Sequence, residues 1–234
     1  RSHAYSPFIQ LGPQFSSWND FLPHLGLLVS GGNTLLFEIR EDQNIKIIAR
    51  TTDDAVGEAL DKGAKLLGIP YPGGAELERY ALQGDPKAFH FPRAFQSRND
   101  SAFSFSGLKT SLLYQLQKMS KKEINHHHED LCASYLEAAI DQLIKKCSKF
   151  FDEQKYKSFG LSGGVANNNL LRNRFKDICE KNKLTFLAVE KKHAGDNAAM
   201  IAFAAHCDRP GLWPNKNGEL NFKPGLLIDE ATYS

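Results

Sequence analysis

Ser162-Gly163-Gly164-Val165-Ala166-Asn167-Asn168 follows the short apolar run Phe159-Gly160-Leu161, and an earlier turn of the same kind, Ser30-Gly31-Gly32-Asn33-Thr34, follows Leu27-Leu28-Val29. Each reads as a buried strand ending in a turn where missing Cβ atoms let backbone N–H groups close on an anion. One such turn alone is weak evidence, since a hairpin or a β-bulge needs the same residue. Two in one chain favour paired phosphate-binding turns. The later turn runs straight into Asn168-Asn169-Leu170-Leu171-Arg172-Asn173-Arg174-Phe175, a helical pattern whose free first-turn N–H groups would face the same ligand.

Working outward, the first turn joins strands expected at 25–30 and 34–40, and a third at 45–51 completes an antiparallel meander. Residues 54–68 read as a helix with Val56, Leu60, Ala64 and Leu67 on one face, ended by Gly68 before Pro70-Tyr71-Pro72-Gly73-Gly74. A short helix is expected at 76–82. The alternating Phe103-Ser104-Phe105-Ser106 suggests a strand before a helix starting near Leu108. The longest helix, 129–151, carries the apolar stripe Leu131, Tyr135, Leu136, Ala139, Ile140, Leu143 and Cys147. Strand 158–162, helix 169–181, strand 184–189 and helix 196–207 complete an α/β alternation. His126-His127-His128 reads as a solvated loop tract. Residues up to Pro23 read as a helix tail broken by Pro7 and then a loop. Arg1 in place of an initiator methionine, and a helix tail with nothing ahead of it, lead to the expectation that the fold begins upstream of this sequence.

The 234 residues can bury a sizeable core, and no apolar run approaches the roughly 18–20 residues that cross a bilayer. The four cysteines, Cys132, Cys147, Cys179 and Cys207, lie in apolar helical patterns without Cys-x-x-Cys spacing, which fits reduced core thiols of an intracellular protein. A net charge of +2 permits an RNA partner without arguing for one. Lys109, Lys118, Lys121, Lys122, Lys145, Lys146, Lys155 and Lys157 could form a phosphate-binding face, or an ordinary solvated one.

A meander with a Gly-Gly hairpin, then helices, then a strand, a Gly-Gly turn and a helix resembles one lobe of the actin-like ATPase fold (ASKHA, RNase H-like). In order along the chain come Asp53-Asp54-Ala55-Val56-Gly57-Glu58-Ala59-Leu60-Asp61-Lys62, Leu66-Leu67-Gly68, Tyr71-Pro72-Gly73-Gly74, Phe103-Ser104-Phe105-Ser106-Gly107-Leu108-Lys109-Thr110, the Ser162 turn, and Asp196-Asn197-Ala198-Ala199-Met200-Ile201-Ala202. This set, spanning His3 to about Ala205, resembles the tRNA threonylcarbamoyladenosine transferase family (TsaD in bacteria, with Kae- and Gcp-like relatives, once described as a glycoprotease).

The resemblance implies an acyltransferase that moves a threonylcarbamoyl group from threonylcarbamoyl-AMP to the exocyclic amine of the adenosine beside the tRNA anticodon. It implies one divalent metal, iron or zinc, held by a His-x-x-x-His helix and a distant aspartate. His3 matches the second histidine and Asp196 the aspartate, while the first histidine would fall ahead of Arg1. Read alone, His3 is a surface residue and Asp196 a helix N-cap. For the adenylate the resemblance assigns Leu28, Val29, Ser30, Gly31, Gly32, Asp61, Gly74, Glu78 and Asn168. Those residue types suit it: turn N–H groups meet phosphate, carboxylates accept from ribose hydroxyls, and an amide both donates and accepts. Read alone, Asp61 is a solvated residue beside the Leu60 and Ala64 stripe. The sequence departs from the family at Asn33, where many relatives have His, and at His193-Ala194-Gly195, where a Tyr-Cys-Thr type sequence is common.

On the same resemblance, residues 1–22 are a remnant of a first lobe with the metal helix, 23–190 the second lobe, and 191–234 a segment returning to the first. The chain alone is then expected to be inactive. Expected partners are tRNA and helper proteins of TsaB and TsaE type, in the cytoplasm or a mitochondrion, with no membrane. Two other readings stay open: an actin-like small-molecule kinase or ATPase, and a non-catalytic fragment that binds tRNA or a partner. A metalloprotease is disfavoured because no His-Glu-x-x-His occurs.

Overall fold

A computed structural model describes residues 1–14, 17–94, 102–151, 155–207 and 228. Helix α1 (Ser2–Tyr5) tightens into 3-10 turns over Ser6–Gln14 and Trp18–Asp20. What reads as loop is therefore wound, and Phe8 and Trp18 meet edge to face at 5.0 Å. Strands β1 (His24–Val29), β2 (Thr34–Ile39) and β3 (Ile45–Thr51) follow, then helices α2 (Val56–Leu66) and α3 (Gly74–Ala81). Next come β4 (Ala102–Phe103), α4 (Ser106–Gln117), α5 (Lys121–His126) and α6 (His128–Phe151). The chain continues with β5 (Ser158–Ser162), α7 (Asn169–Lys181), β6 (Thr185–Ala188) and α8 (Ala198–Cys207).

The sheet order is β4-β3-β2-β1-β5-β6. β1, β2 and β3 pair antiparallel, while β5 joins β1, β6 joins β5 and β4 joins β3 in parallel. A hairpin meander extended by parallel strands on helical crossovers is the α/β layout of an actin-like ATPase lobe. β1 is central and buried on both faces. Leu25, Leu27 and Val29 meet the main core with α2, α6 and α7, whereas Leu28 meets Phe8, Phe37 and Cys207 behind the sheet. Leucines spaced by two thus serve one layer and adjacent leucines serve opposite ones. In α6, Tyr135 is fully buried and its hydroxyl donates to the Ala59 carbonyl at 2.8 Å.

The histidine tract is a joint between helices and not a solvated loop. Ser120 and Glu123 form a reciprocal capping box that starts α5. His127 then pairs with Asp130 at 3.1 Å, and His128 Nε2 donates to the Leu67 carbonyl at 3.1 Å. Asp196 does not cap α8, because Asn197 Oδ1 takes the Met200 N–H at 2.9 Å. Of the eight lysines, Lys146 is buried, Lys155 is bound to Glu38, and Lys145 to Asp141. All four cysteines are buried and none is in a disulfide. Among the described residues no helix is long and apolar enough to cross a membrane.

One charge cluster ties α6, α7 and the segment after α3. Asp141 accepts from Arg93 at 2.8 Å, Arg174 at 2.9 Å and Lys145 at 3.0 Å. Burial alone would raise its pKa, but these three cations bring it down from 3.8 to about 2. A depressed folded pKa gives stability that is present above the unfolded value and lost as pH falls through the folded one. Asp141→Asn should therefore cost on the order of 1–2 kcal/mol at neutral pH. In urea titrations the gap to wild type should close between about pH 4 and pH 2; a gap unchanged at pH 2 would show that charge is not its source.

Candidate functional site

The parallel register of β1 and β5 sets Leu28 opposite Ser162, so the two Gly-Gly turns leave the sheet side by side. Their glycines divide into two kinds. Gly163 has φ +89, and a Cβ there would lie 2.3 Å from the Val29 carbonyl oxygen, so it locks the later turn onto β1. Gly57, at the start of α2, would meet the Ser30 carbonyl at 2.5 Å and locks the earlier turn onto that helix. By contrast, a Cβ on Gly31, Gly32 or Gly164 would meet nothing within 4 Å. Those three face open space. Thr34 Oγ1 accepts the Val56 N–H at 2.9 Å, which fixes the α2 N-terminus beside the turn.

A cavity of about 300 Å³ lies between the turns. Of the sequence-predicted adenylate residues, Gly31, Asp61, Gly74, Glu78 and Asn168 line it. Leu28 and Val29 are instead buried strand residues, and Ser30 and Gly32 belong to the turn without lining the cavity. Gly57, Leu60, Pro72, Ala75, Gly164, Val165 and Asn167 complete the wall; of these, Gly164 was legible from its Gly-Gly turn.

Both wall carboxylates have a scaffold oxygen and a spare one. Asp61 Oδ1 accepts from the Gly73 and Gly74 N–H groups at 2.9 Å each, which folds the 68–74 turn back onto α2. Asp61 is thus not a merely solvated helix residue. Glu78 Oε1 accepts from Asn169 N at 2.7 Å and Nδ2 at 3.1 Å, joining α3 to the first residue of α7. Asp61 Oδ2 and Glu78 Oε2 have no hydrogen-bond partner among the described residues. Asn168 caps α7, its Oδ1 accepting from Leu171 N at 2.9 Å, which leaves its NH₂ group to donate. Asn167 Oδ1 is buried without a partner.

Beyond the cavity, His3 Nε2 and Asp196 Oδ1 stand 2.9 Å apart across 193 positions of sequence, with the Asp196 side chain 91% exposed. Among the described residues no group of three or more His, Cys, Asp or Glu is placed to hold a metal. The segment carrying Asp196 is anchored to α7 by Arg172, which donates to the Ala166 and Val189 carbonyls, and by Lys191, whose ammonium meets Asn169 Oδ1 at 2.8 Å. Sequence reasoning missed two supports. Asp53 accepts from the hydroxyls of Ser104 and Ser106 and from Phe105 N; burial opposes its charge, but those donors hold its pKa below the usual value. His24, the first residue of β1, is fully buried with Nδ1 2.7 Å from Ser158 Oγ, and burial lowers its pKa to about 3. It is a neutral imidazole.

The two kinds of glycine give a direct test. Gly163→Ala must move β1 backbone and adopt a positive φ, so it should lose well over about 1 kcal/mol of stability. Gly164→Ala should melt within a degree or so of wild type and narrow the cavity alone. Equal melting temperatures for the two variants would contradict the geometry.

The model of the TsaD family, described as tRNA N6-adenosine threonylcarbamoyltransferase, matches residues 1–203. A relative of that name from Fervidobacterium nodosum is 41% identical over 208 residues, covering 86% of this chain and 59% of its own length. One from Pelodictyon phaeoclathratiforme is 42% identical over 213 residues, with 87% and 60% covered. The chain therefore spans about three fifths of the length of these relatives. Among solved structures, T. kodakarensis HypF superposes with a TM-score of 0.62 at 17% identity, covering 86% of this chain and 35% of that one, and shares the fold. By its family match and by these identities, the chain belongs to the tRNA N6-adenosine threonylcarbamoyltransferase family.

Proposed function

We propose that this chain carries the nucleotide-binding lobe of an enzyme that transfers a threonylcarbamoyl group from threonylcarbamoyl-AMP to the exocyclic amine of the adenosine beside a tRNA anticodon. The observation that carries the reading is one cavity gathering Gly31, Asp61, Gly74, Glu78 and Asn168 between two open glycine turns, in a member of this family. Residues 23–190 are the second actin-like lobe, with 1–22 and 191–207 belonging to the first; positions 208–227 and 229–234 of the expected segment 191–234 lie outside the described residues. The protein works in the cytoplasm or a mitochondrion, with helper proteins of TsaB and TsaE type.

In this reading Asp61 Oδ2 and Glu78 Oε2 accept from the ribose hydroxyls, their other oxygens being committed to the scaffold. Gly31 and Gly164 let the phosphate approach bare backbone, and the Asn168 NH₂ group donates to the ligand. The donor is a mixed anhydride and already activated. The acceptor nitrogen bonds to the carbamoyl carbon, the carbon–oxygen bond to phosphate breaks, AMP leaves, and the amine proton is lost. The chain's residues then have to orient the two reactants and stabilise charge on the departing phosphate, for which fixed turn N–H groups are suited. No Ser or Cys nucleophile is needed, in keeping with buried thiols such as Cys132 and Cys179, whose pKa values burial pushes up to about 12.

His3 and Asp196 are an imidazole and a carboxylate brought within 2.9 Å, with the carboxylate otherwise open to solvent, and they are two of the donors that a divalent iron or zinc ion would take. When bound, such an ion supplies Lewis-acid polarisation of a coordinated oxygen. Because Asn197 is the helix cap, the two neighbouring residues separate the roles. In the full-length protein, Asp196→Asn should lower metal content and transfer rate and leave the melting temperature of metal-free protein unchanged. Asn197→Ala should lose about 1 kcal/mol of stability and keep the metal. Full metal stoichiometry and parental transfer by Asp196→Asn would remove the metal assignment.

A further inference from the structure

Tyr71 is 85% exposed, more than Leu82, Leu113, Tyr114 or Ile201, the other large apolar residues on the described surface. Its neighbours are anything but free. Gly68, with φ +80, turns the chain out of α2, and Ile69 returns to the core with its N–H on the Ala64 carbonyl at 2.9 Å. Gly73 packs so closely on Ala64 that a Cβ there would fall 2.3 Å from the alanine methyl. Asp61 clamps the Gly73 and Gly74 amides, and the fully buried Leu77 pins the helix that follows. A tightly held turn therefore presents one aromatic ring to solvent. The ring stands directly before Pro72 and three residues before Gly74, both of which line the cavity, but is not itself part of the cavity wall. It sits on the lip.

We propose that Tyr71 is a stacking platform for an unpaired base of the RNA acceptor, flanking the adenosine whose amine enters the site. This deepens the function proposed above and rests on its reading of tRNA as acceptor. Single-stranded loops are recognised by bases splayed onto aromatic side chains, and an amphipathic ring on fixed backbone, with only two side-chain torsions to order, loses little entropy on contact. Position separates the two substrates: the nucleotide in the cavity is held by the wall, so a ring outside that wall meets what arrives from solvent. A phenol edge left in water during stacking also favours Tyr at a site that is exposed when empty.

The test measures binding of an unmodified tRNA anticodon stem-loop and, separately, of AMP to the full-length protein at one fixed salt concentration. Tyr71→Ala should weaken stem-loop binding roughly 5- to 150-fold, as loss of one base–aromatic stack does. Tyr71→Phe should stay within about twofold of wild type, and AMP affinity should be the same in all three. Because the side chain is exposed, the melting temperatures should coincide. Unchanged stem-loop affinity in Tyr71→Ala, with AMP still bound, overturns the proposal and leaves the adenylate reading intact; it would assign the ring to a protein surface. Equal loss of AMP and stem-loop binding also overturns it, since the ring would then act on the cavity. Failure of wild type to bind the stem-loop while binding AMP removes both this proposal and the tRNA reading.

Discussion

Strands β1 and β5 run parallel with Leu28 opposite Ser162, and from that register the site follows. Because both strands end in Gly-Gly turns, pairing them in register brings two anion-competent loops to one end of the sheet. The contact is tight enough to dictate sequence: Gly163 lies where any side chain would strike the Val29 carbonyl, and Gly57 where one would strike Ser30. The turns are held by the glycines that pack and open to a ligand at the glycines that do not. Helix α7 then begins at the cavity wall because Asn168 caps it there. This is the arrangement expected of a lobe at the carboxyl ends of parallel strands, where α/β sheets bind ligands.

The wall carboxylates show how a fold and a binding site can share one residue. Asp61 holds the 68–74 turn and Glu78 holds the start of α7, each through a single oxygen. A ligand that engages the remaining oxygens therefore meets groups whose orientation is fixed in advance. That limits the ordering cost of binding. Tyr71 follows from the same clamp, since the turn that Asp61 tethers is the turn that carries the ring.

Much of this was readable in sequence, for reasons tied to particular residues. Leu25, Leu27 and Val29 alternate with residues of the opposite layer, and the stripe of Leu131, Tyr135, Leu136 and Leu143 keeps helical spacing, so β1 and α6 were visible as periodic patterns. The cavity residues were found through the family resemblance; composition alone gave a solvated Asp61. What escaped depends on contacts between distant positions. Asp53 reaches Ser104 and Ser106, His24 reaches Ser158, and Lys155 reaches Glu38, and nothing local marks those residues as partners. Helix α5 escaped although its box of Ser120 and Glu123 was in view, because the histidines after it read as loop. Asp196 was read as a cap one position from the residue that caps, a shift within the ordinary uncertainty of helix ends.

The central claim is that the cavity holds a nucleotide by its sugar, through the spare oxygens of Asp61 and Glu78. Calorimetric titration of the full-length protein with AMP and with 2′,3′-dideoxy-AMP tests it most directly. Two hydroxyls donating to carboxylates predict that the dideoxy nucleotide binds at least about tenfold more weakly. Equal affinity for the two nucleotides would contradict the account.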